Sequence, residues 1–191
     1  MLIELLRKNR TVRCYERSRR VEEADIKEML ECARLTASAA NLQRIRYSSF
    51  TGKSADKAFP FVTLGGLLPP DKKPTEKNSP TAYIVMASDK EDFDPNLMID
   101  VGISAEAITL AAAEKGISSC MIRNFNKEYF AFSLDEKMYY PMLVIALGYA
   151  DEGTCVVDAK EGESLKYNKK DDNINYVPKL VVEEVWKKKK Q

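Results

Sequence analysis

"LMIDVGISAEAITLAAAEKGISSCMI", residues 97–122, is the stretch from which the fold is read. Residues 97–115 are almost all small or apolar, which predicts one long helix without a wide polar face. A helix apolar nearly all round is buried, in a core or at a subunit interface. Gly116 follows as a natural cap, because glycine accepts the left-handed backbone with which many helices end. "ISSCMI" (117–122) then reads as a short strand.

Outward from this unit, helical and strand patterns interleave. "PMLVIALGYA" (141–150) is the clearest buried strand, and "TAYIVMAS" (81–88) is a second strong one. The stretch 126–140 reads as partly helical. Towards the N-terminus, "IRYSSFTG" predicts a strand ending at Gly52. Residues 22–35 predict an amphipathic helix, with Ile26, Met29, Leu30 and Ala33 on one face. Glu22, Glu23 and Asp25 crowd its first turn, where the helix dipole favours negative charge. Residues 2–8 predict a short helix. The segment 51–80 holds five of the eight prolines, so it reads as a loop or lid. From residue 151 the chain is polar, with one apolar run, "LVVEEVW", inside a C-terminal extension at 165–191. No repeat or domain boundary is evident, and one domain over 1–191 is expected. Strands mixed with helices, but without a strand–glycine loop–helix unit, indicate an α+β fold rather than a parallel dinucleotide-binding sheet.

Composition excludes several classes of function. The net charge of +1 gives no global attraction to nucleic acid or anionic membranes. The lysines at 72–77 and 187–190 read as solvated loop and tail, since aromatic residues are not interleaved with them as a stacking surface requires. The N-terminal "MLIELLRKNR" places its charges after the apolar part, the wrong order for a secretion signal. Four scattered cysteines, at 14, 32, 120 and 155, read as reduced thiols of a cytoplasmic protein. The chain has no histidine, which removes histidine triads and histidine-ligated zinc. No metal site and no catalytic side chain are expected, so the difficult chemistry belongs to a cofactor.

"ARLTASAANLQ" (33–43) is the second decisive stretch. Where the helix at 22–35 ends, large apolar residues give way to Ser38, Asn41 and Gln43 among alanines. Such a stretch serves as an ordinary cap and turn, or as a shelf where a ligand comes close and needs hydrogen bonds. Arg10 and Arg13, in "NRTVRCYE", are either surface charges or an anion site.

Three stretches, taken in order, resemble the FMN-dependent nitroreductase family. "NRTVRCYE" is similar to that family's Arg-Arg-Ser-x-Arg-x-aromatic opening, with Asn9 and Thr11 as departures. "ARLTASAANLQRIRY" is similar to Ala-Arg-x-Ala-Pro-Ser-x-x-Asn-x-Gln-Pro-Trp-x-aromatic, with Ala37, Arg44 and Ile45 as departures. "DVGISAEAITLAAAEKGISSCMIRNFN" and "MLVIALGYADE" look like its central dimer helix, the following strand and the last sheet strand. Arg123 stands in a region that is often glycine-rich in the family.

The resemblance implies a central mixed, mainly antiparallel sheet flanked by helices, in an intertwined homodimer. It implies FMN as cofactor and NAD(P)H as reductant, with a nitroaromatic, quinone or similar planar acceptor. By the same resemblance, Arg10, Thr11 and Lys179 are expected at the flavin phosphate and Arg13 at the pyrimidine edge. Ser38, Ala39, Asn41 and Gln43 are expected to face the ring from the partner subunit. Met121 and Arg123 are expected near its reactive side. A non-catalytic protein of the same fold, holding flavin for storage or sensing, is the alternative.

Overall fold

The computed structural model describes the chain apart from residues 67, 69–71, 92–93, 170–172 and 188–191. Part of the 51–80 segment and the end of the C-terminal extension, with Lys188, Lys189 and Lys190, therefore lie outside the described residues. The chain forms two compact units, Met1–Asp151 and Glu152–Gln191.

In the first unit, β6 (Lys137–Ala150) is the central strand. On one side it pairs with β3 (Ala82–Ser88), and beyond that lies β2 (Arg46–Thr51). Its other side takes β4 (Ser118–Ile122) and, nearer its end, β1 (Tyr15–Glu16). A short strand, β5 (Phe132–Leu134), folds back on the start of β6. All these pairings are antiparallel. All of β3 is buried, which explains why its sequence is an unbroken apolar run rather than an alternation.

Side chains alternate across the sheet, and each face has its own cover. Ile84, Met86, Ile145 and Leu147 meet α2 (Glu23–Arg34) and α4 (Pro95–Glu114) through Ile26, Met29, Leu97, Val101, Ala105 and Ile108. Tyr83, Val85, Val144 and Ala146 meet α3 (Gly52–Ala58) and α5 (Lys127–Phe130) through Ala55, Ala58 and Phe130. Phe130 meets the rings of Phe50, Phe125 and Tyr129 edge to face at 5.0–5.8 Å. The mainly antiparallel sheet flanked by helices is the architecture expected from the sequence.

The helix α4 starts sharply. Asp94 accepts a hydrogen bond from the Leu97 N–H at 2.9 Å, and Pro95 opens the first turn. At its other end Lys115 reaches Asp25 (3.1 Å) and Glu28 (2.6 Å) on α2. By length and composition α4 would pass for a membrane-crossing helix, yet eight of its residues are buried in the core. Before it in sequence, α1 (Leu2–Lys8) lies against α4. The segment expected to be a loop or lid contains α3, capped by a Thr51–Ser54 box, and a tight turn at Phe59–Phe61.

The second unit is a three-stranded sheet. Strand β9 (Ile174–Leu180) lies between β7 (Gly153–Ala159), which is parallel to it, and β8 (Asn168–Lys169), which is antiparallel. A last turn, α6 (Val182–Val185), falls in the apolar run noted in the sequence.

Ile108 is fully buried between α4 and the sheet. Ile108→Ala is expected to lower the unfolding free energy by about 2–5 kcal/mol in urea denaturation, from lost burial and the cavity left behind. A loss below about 1 kcal/mol would contradict the packing described.

Candidate functional site

After α1 the chain turns at Asn9, whose amide donates to Glu106 Oε1 (3.1 Å) and Thr109 Oγ1 (3.0 Å) on α4. The departure from an arginine at this position thus serves as a strut between α1 and α4. The following residues run along the outer edge of β4. Thr11 bridges Ser119, and the Val12 N–H donates to the Ser119 carbonyl at 3.0 Å. Buried Tyr15 fixes this strip from beneath, donating its hydroxyl to the Val12 carbonyl at 2.6 Å. Tyr15 lies flat against Gly148 of β6, where an added Cβ would come within 2.6 Å of the ring. Only glycine leaves room there.

On this strip Arg10 donates to the Leu6 carbonyl at 2.8 Å, while its Nε is buried without a partner among the described residues. Thr11 is exposed. The aliphatic part of Arg13 passes Gly65, with Cδ 3.5 Å from where a Cβ on that glycine would sit. Gly65 has φ +66°, a backbone that glycine adopts without strain. The loop carrying Gly65 is held to the end of β4 by an antiparallel bridge made of two backbone hydrogen bonds. Val62 bridges Phe125: the Thr63 N–H donates to Asn124 (2.9 Å), and the Asn126 N–H donates to Phe61 (2.8 Å). On β4 itself Cys120 and Ile122 point into the core, and Met121 and Arg123 are exposed. The structure therefore gathers Arg10, Thr11, Arg13, Met121 and Arg123 at one edge of the sheet. The three segments that form this edge, 10–13, 61–66 and 118–126, contain no carboxylate.

Ser38, Ala39, Asn41 and Gln43 form a second group at the opposite edge, just before β2. The turn is tightly self-bonded. Ser38 Oγ accepts from the Gln43 N–H (3.2 Å), and the Gln43 amide donates to Asn41 Oδ1 (3.2 Å). Ala40, Asn41 and Gln43 have φ of 49°, 52° and 50°. Left-handed backbone in a non-glycine residue costs about 1–2 kcal/mol, and such strain clusters where a surface must hold a set shape. The anchor is Asp100 of α4, whose Oδ1 accepts from the Ala39 N–H at 2.9 Å. Asp100 is 3 % exposed, and its Oδ2 has no hydrogen-bond partner among the described residues. Behind the turn lies a cavity of about 360 Å³, lined by Ser38, Gln43, Tyr47, Asp100 and Ser104. Tyr47 and Ser104 share a 2.6 Å hydrogen bond there, and burial raises the Tyr47 pKa. Arg44 pairs with Asp94, the cap of α4, fastening the end of the turn to that helix.

The two groups hang from opposite faces of α4. Asp100 and Thr109 are nine residues apart, half a revolution at 3.6 residues per turn and about 13 Å along the axis. Across the sheet, β4, β6, β3 and β2 separate them, with neighbouring strands about 4.8 Å apart. Lys179 stands exposed on β9 in the second unit. Asn9 and Asp100 were not signalled as site-shaping residues, although an aspartate in the first half of a mostly apolar helix is a visible anomaly.

The sequence model of the nitroreductase family matches residues 6–149. Solved structures share the fold. An FMN-dependent nitroreductase of Clostridium difficile R20291 is 26% identical, with 78% of this chain and 88% of that chain covered and a TM-score of 0.57. A nitroreductase family protein of Streptococcus pneumoniae TIGR4 is 18% identical, with 87% and 96% covered and a TM-score of 0.63. An FMN-dependent nitroreductase of Mycobacterium smegmatis, in complex with NADPH, is 18% identical, with 78% and 87% covered and a TM-score of 0.62. Among curated proteins none matches the chain.

The Arg44–Asp94 pair supplies a test. Hydrogen bonding from Arg44, then from the Leu97 N–H, lowers the Asp94 pKa from 3.8 to about 2. A depressed carboxylate pKa stabilises the fold above the unfolded value, and that stabilisation is lost as pH falls through the folded value. In Arg44→Gln, Asp94 is expected to titrate closer to 3.8 and acid unfolding to begin at higher pH. Side-chain carboxyl NMR against pH checks this; an Asp94 still titrating near 2 would contradict it.

Proposed function

Because this chain belongs to the nitroreductase family, an assignment that makes it an oxidoreductase in general kind, we propose that it uses FMN. In this reading it is a cytoplasmic homodimer. It takes reducing equivalents from NAD(P)H and delivers them to a nitroaromatic, quinone or similar small planar acceptor. FMN, when bound, supplies the redox chemistry that the side chains lack.

The observation that carries the proposal is the carboxylate-free edge bearing Arg10, Thr11 and Arg13, with the buried Arg10 Nε left without a partner. That donor set fits a phosphate. Each charge-assisted hydrogen bond contributes about 1.5–3 kcal/mol, and a buried donor without a partner is a standing cost that an anion would relieve. Arg10 and Thr11 would hold the phosphate. Arg13 would stand beside the pyrimidine edge, where a cation favours the reduced ring. The strip is rigid because Tyr15 and the Val12–Ser119 bond fix it.

Ser38, Ala39, Asn41 and Gln43 would face the ring from a second copy. Support for this comes from their place on the opposite face of α4, out of line with the arginine edge of the same chain. Further support comes from α4 and α1, which leave Ile99 (59 % exposed), Ile103 (41 %), Leu2 and Ile3 uncovered. Met121 and Arg123 would line the open side, where reductant and acceptor approach. No protein acid or base is placed in the reaction.

Titration with FMN, followed by visible absorbance, is expected to show saturable binding and bleaching on addition of NAD(P)H. Arg10→Ala with Arg13→Ala is expected to weaken FMN binding by more than about tenfold, as the loss of charge-assisted bonds dictates. A flavin that binds but resists NAD(P)H would instead indicate storage or sensing. Absence of FMN binding would overturn the proposal.

A further inference from the structure

We propose that Arg123 selects acceptors that carry a carboxylate; this rests on the flavin reading above. Arg123 follows β4, two residues after Met121, and both side chains are exposed on the arginine edge. Its backbone is held on both sides. The β4–β6 ladder runs to Ile122 opposite Val144, and the next residue, Asn124, accepts the Thr63 N–H. The guanidinium is therefore swung from a fixed point.

The side chain itself has no hydrogen bond or ion pair among the described residues. Other arginines of this chain are engaged: Arg17 with Asp56, Arg34 with Glu31, Arg44 with Asp94, and Arg19 over the Tyr149 ring. The segments 10–13, 61–66 and 118–126 contain no acid, and Glu128, five residues after Arg123, forms no ion pair with it among the described residues. In the flavin reading Arg10 would face the phosphate and Arg13 the pyrimidine edge of FMN. Arg123 is left as an unmatched cation on the side where acceptors enter. A neutral acceptor gains nothing from it and must share the space with a large side chain. A planar acceptor bearing a carboxylate is matched by the guanidinium fork, which takes both oxygens at once.

The probes are 4-nitrobenzoate and 4-nitrobenzamide, nearly equal in shape and different in charge. With the FMN-loaded protein and NAD(P)H, the ratio of kcat/KM for the benzoate to that for the benzamide is measured in wild type, Arg123→Gln and Arg123→Lys. Using the ratio within each variant cancels the intrinsic reactivity of the two acceptors. Arg123→Gln is expected to lower the ratio about two- to fivefold, the upper part of the range of an exposed ion pair. Arg123→Lys is expected to keep most of it. Added salt should compress the wild-type ratio and leave that of Arg123→Gln unchanged. A ratio unaffected by Arg123→Gln would overturn the proposal. So would an equal loss with both acceptors, which would assign Arg123 to the flavin or to the reductant. If the protein bleaches with NAD(P)H and the ratio does not move, only this inference fails. If FMN does not bind, both readings fail together.

Discussion

Everything in the first unit is referred to one helix. Pro95–Glu114 is apolar on nearly all sides, so water must be kept from most of its surface. The sheet and α2 cover one part of it through Leu97, Val101, Ala105 and Ile108. Asn9 is fastened to it at Glu106 and Thr109, and Ala39 at Asp100. The two groups of candidate ligand-binding residues therefore have their positions set by the same rigid body, on opposite faces. What remains uncovered is the side bearing Ile99 and Ile103. In the proposed homodimer that side meets a second copy, and burial of the helix and completion of the site become one event.

The elements legible in the sequence are those whose neighbours are dictated by period. A run such as Ala82–Ser88 can only be a strand buried on both faces, and α4 can only be a buried helix. The arginine segment and the polar turn were picked out through ordered motifs rather than through period. What was not legible depends on long-range partners. Asn9 gives no local hint that it will find Glu106, nor Arg44 that it will find Asp94. The left-handed backbone at Ala40 is equally silent, because alanine does not mark a positive φ as glycine does. The sheet of the second unit was missed for a related reason. Its central strand contains Pro178, which argues against a ladder; β8 pairs only with Asn175 and Tyr176 of that strand, while Pro178 stands opposite Val157 of the parallel β7.

The departures from the family pattern acquire physical meaning one at a time. Asn9 exchanges a charge for a strut. Arg44 replaces a rigid proline with an ion pair to the cap of α4. Arg123 puts a cation where the pattern favours small residues, and in the proposal above it bears on the choice of acceptor.

The central claim is that one site draws its cations from one chain and its shelf from another. Subunit complementation tests it most directly. One copy carries Arg10→Ala and Arg13→Ala, the other Asn41→Ala and Gln43→Ala, and FMN binding is measured for each homodimer and for the co-expressed heterodimer. Both homodimers are expected to lose FMN. The heterodimer is expected to regain a single site, formed by the intact arginines of one chain and the intact shelf of the other. A heterodimer that forms but binds no more FMN than its parents would contradict the claim, because a site built within one chain is broken in both copies.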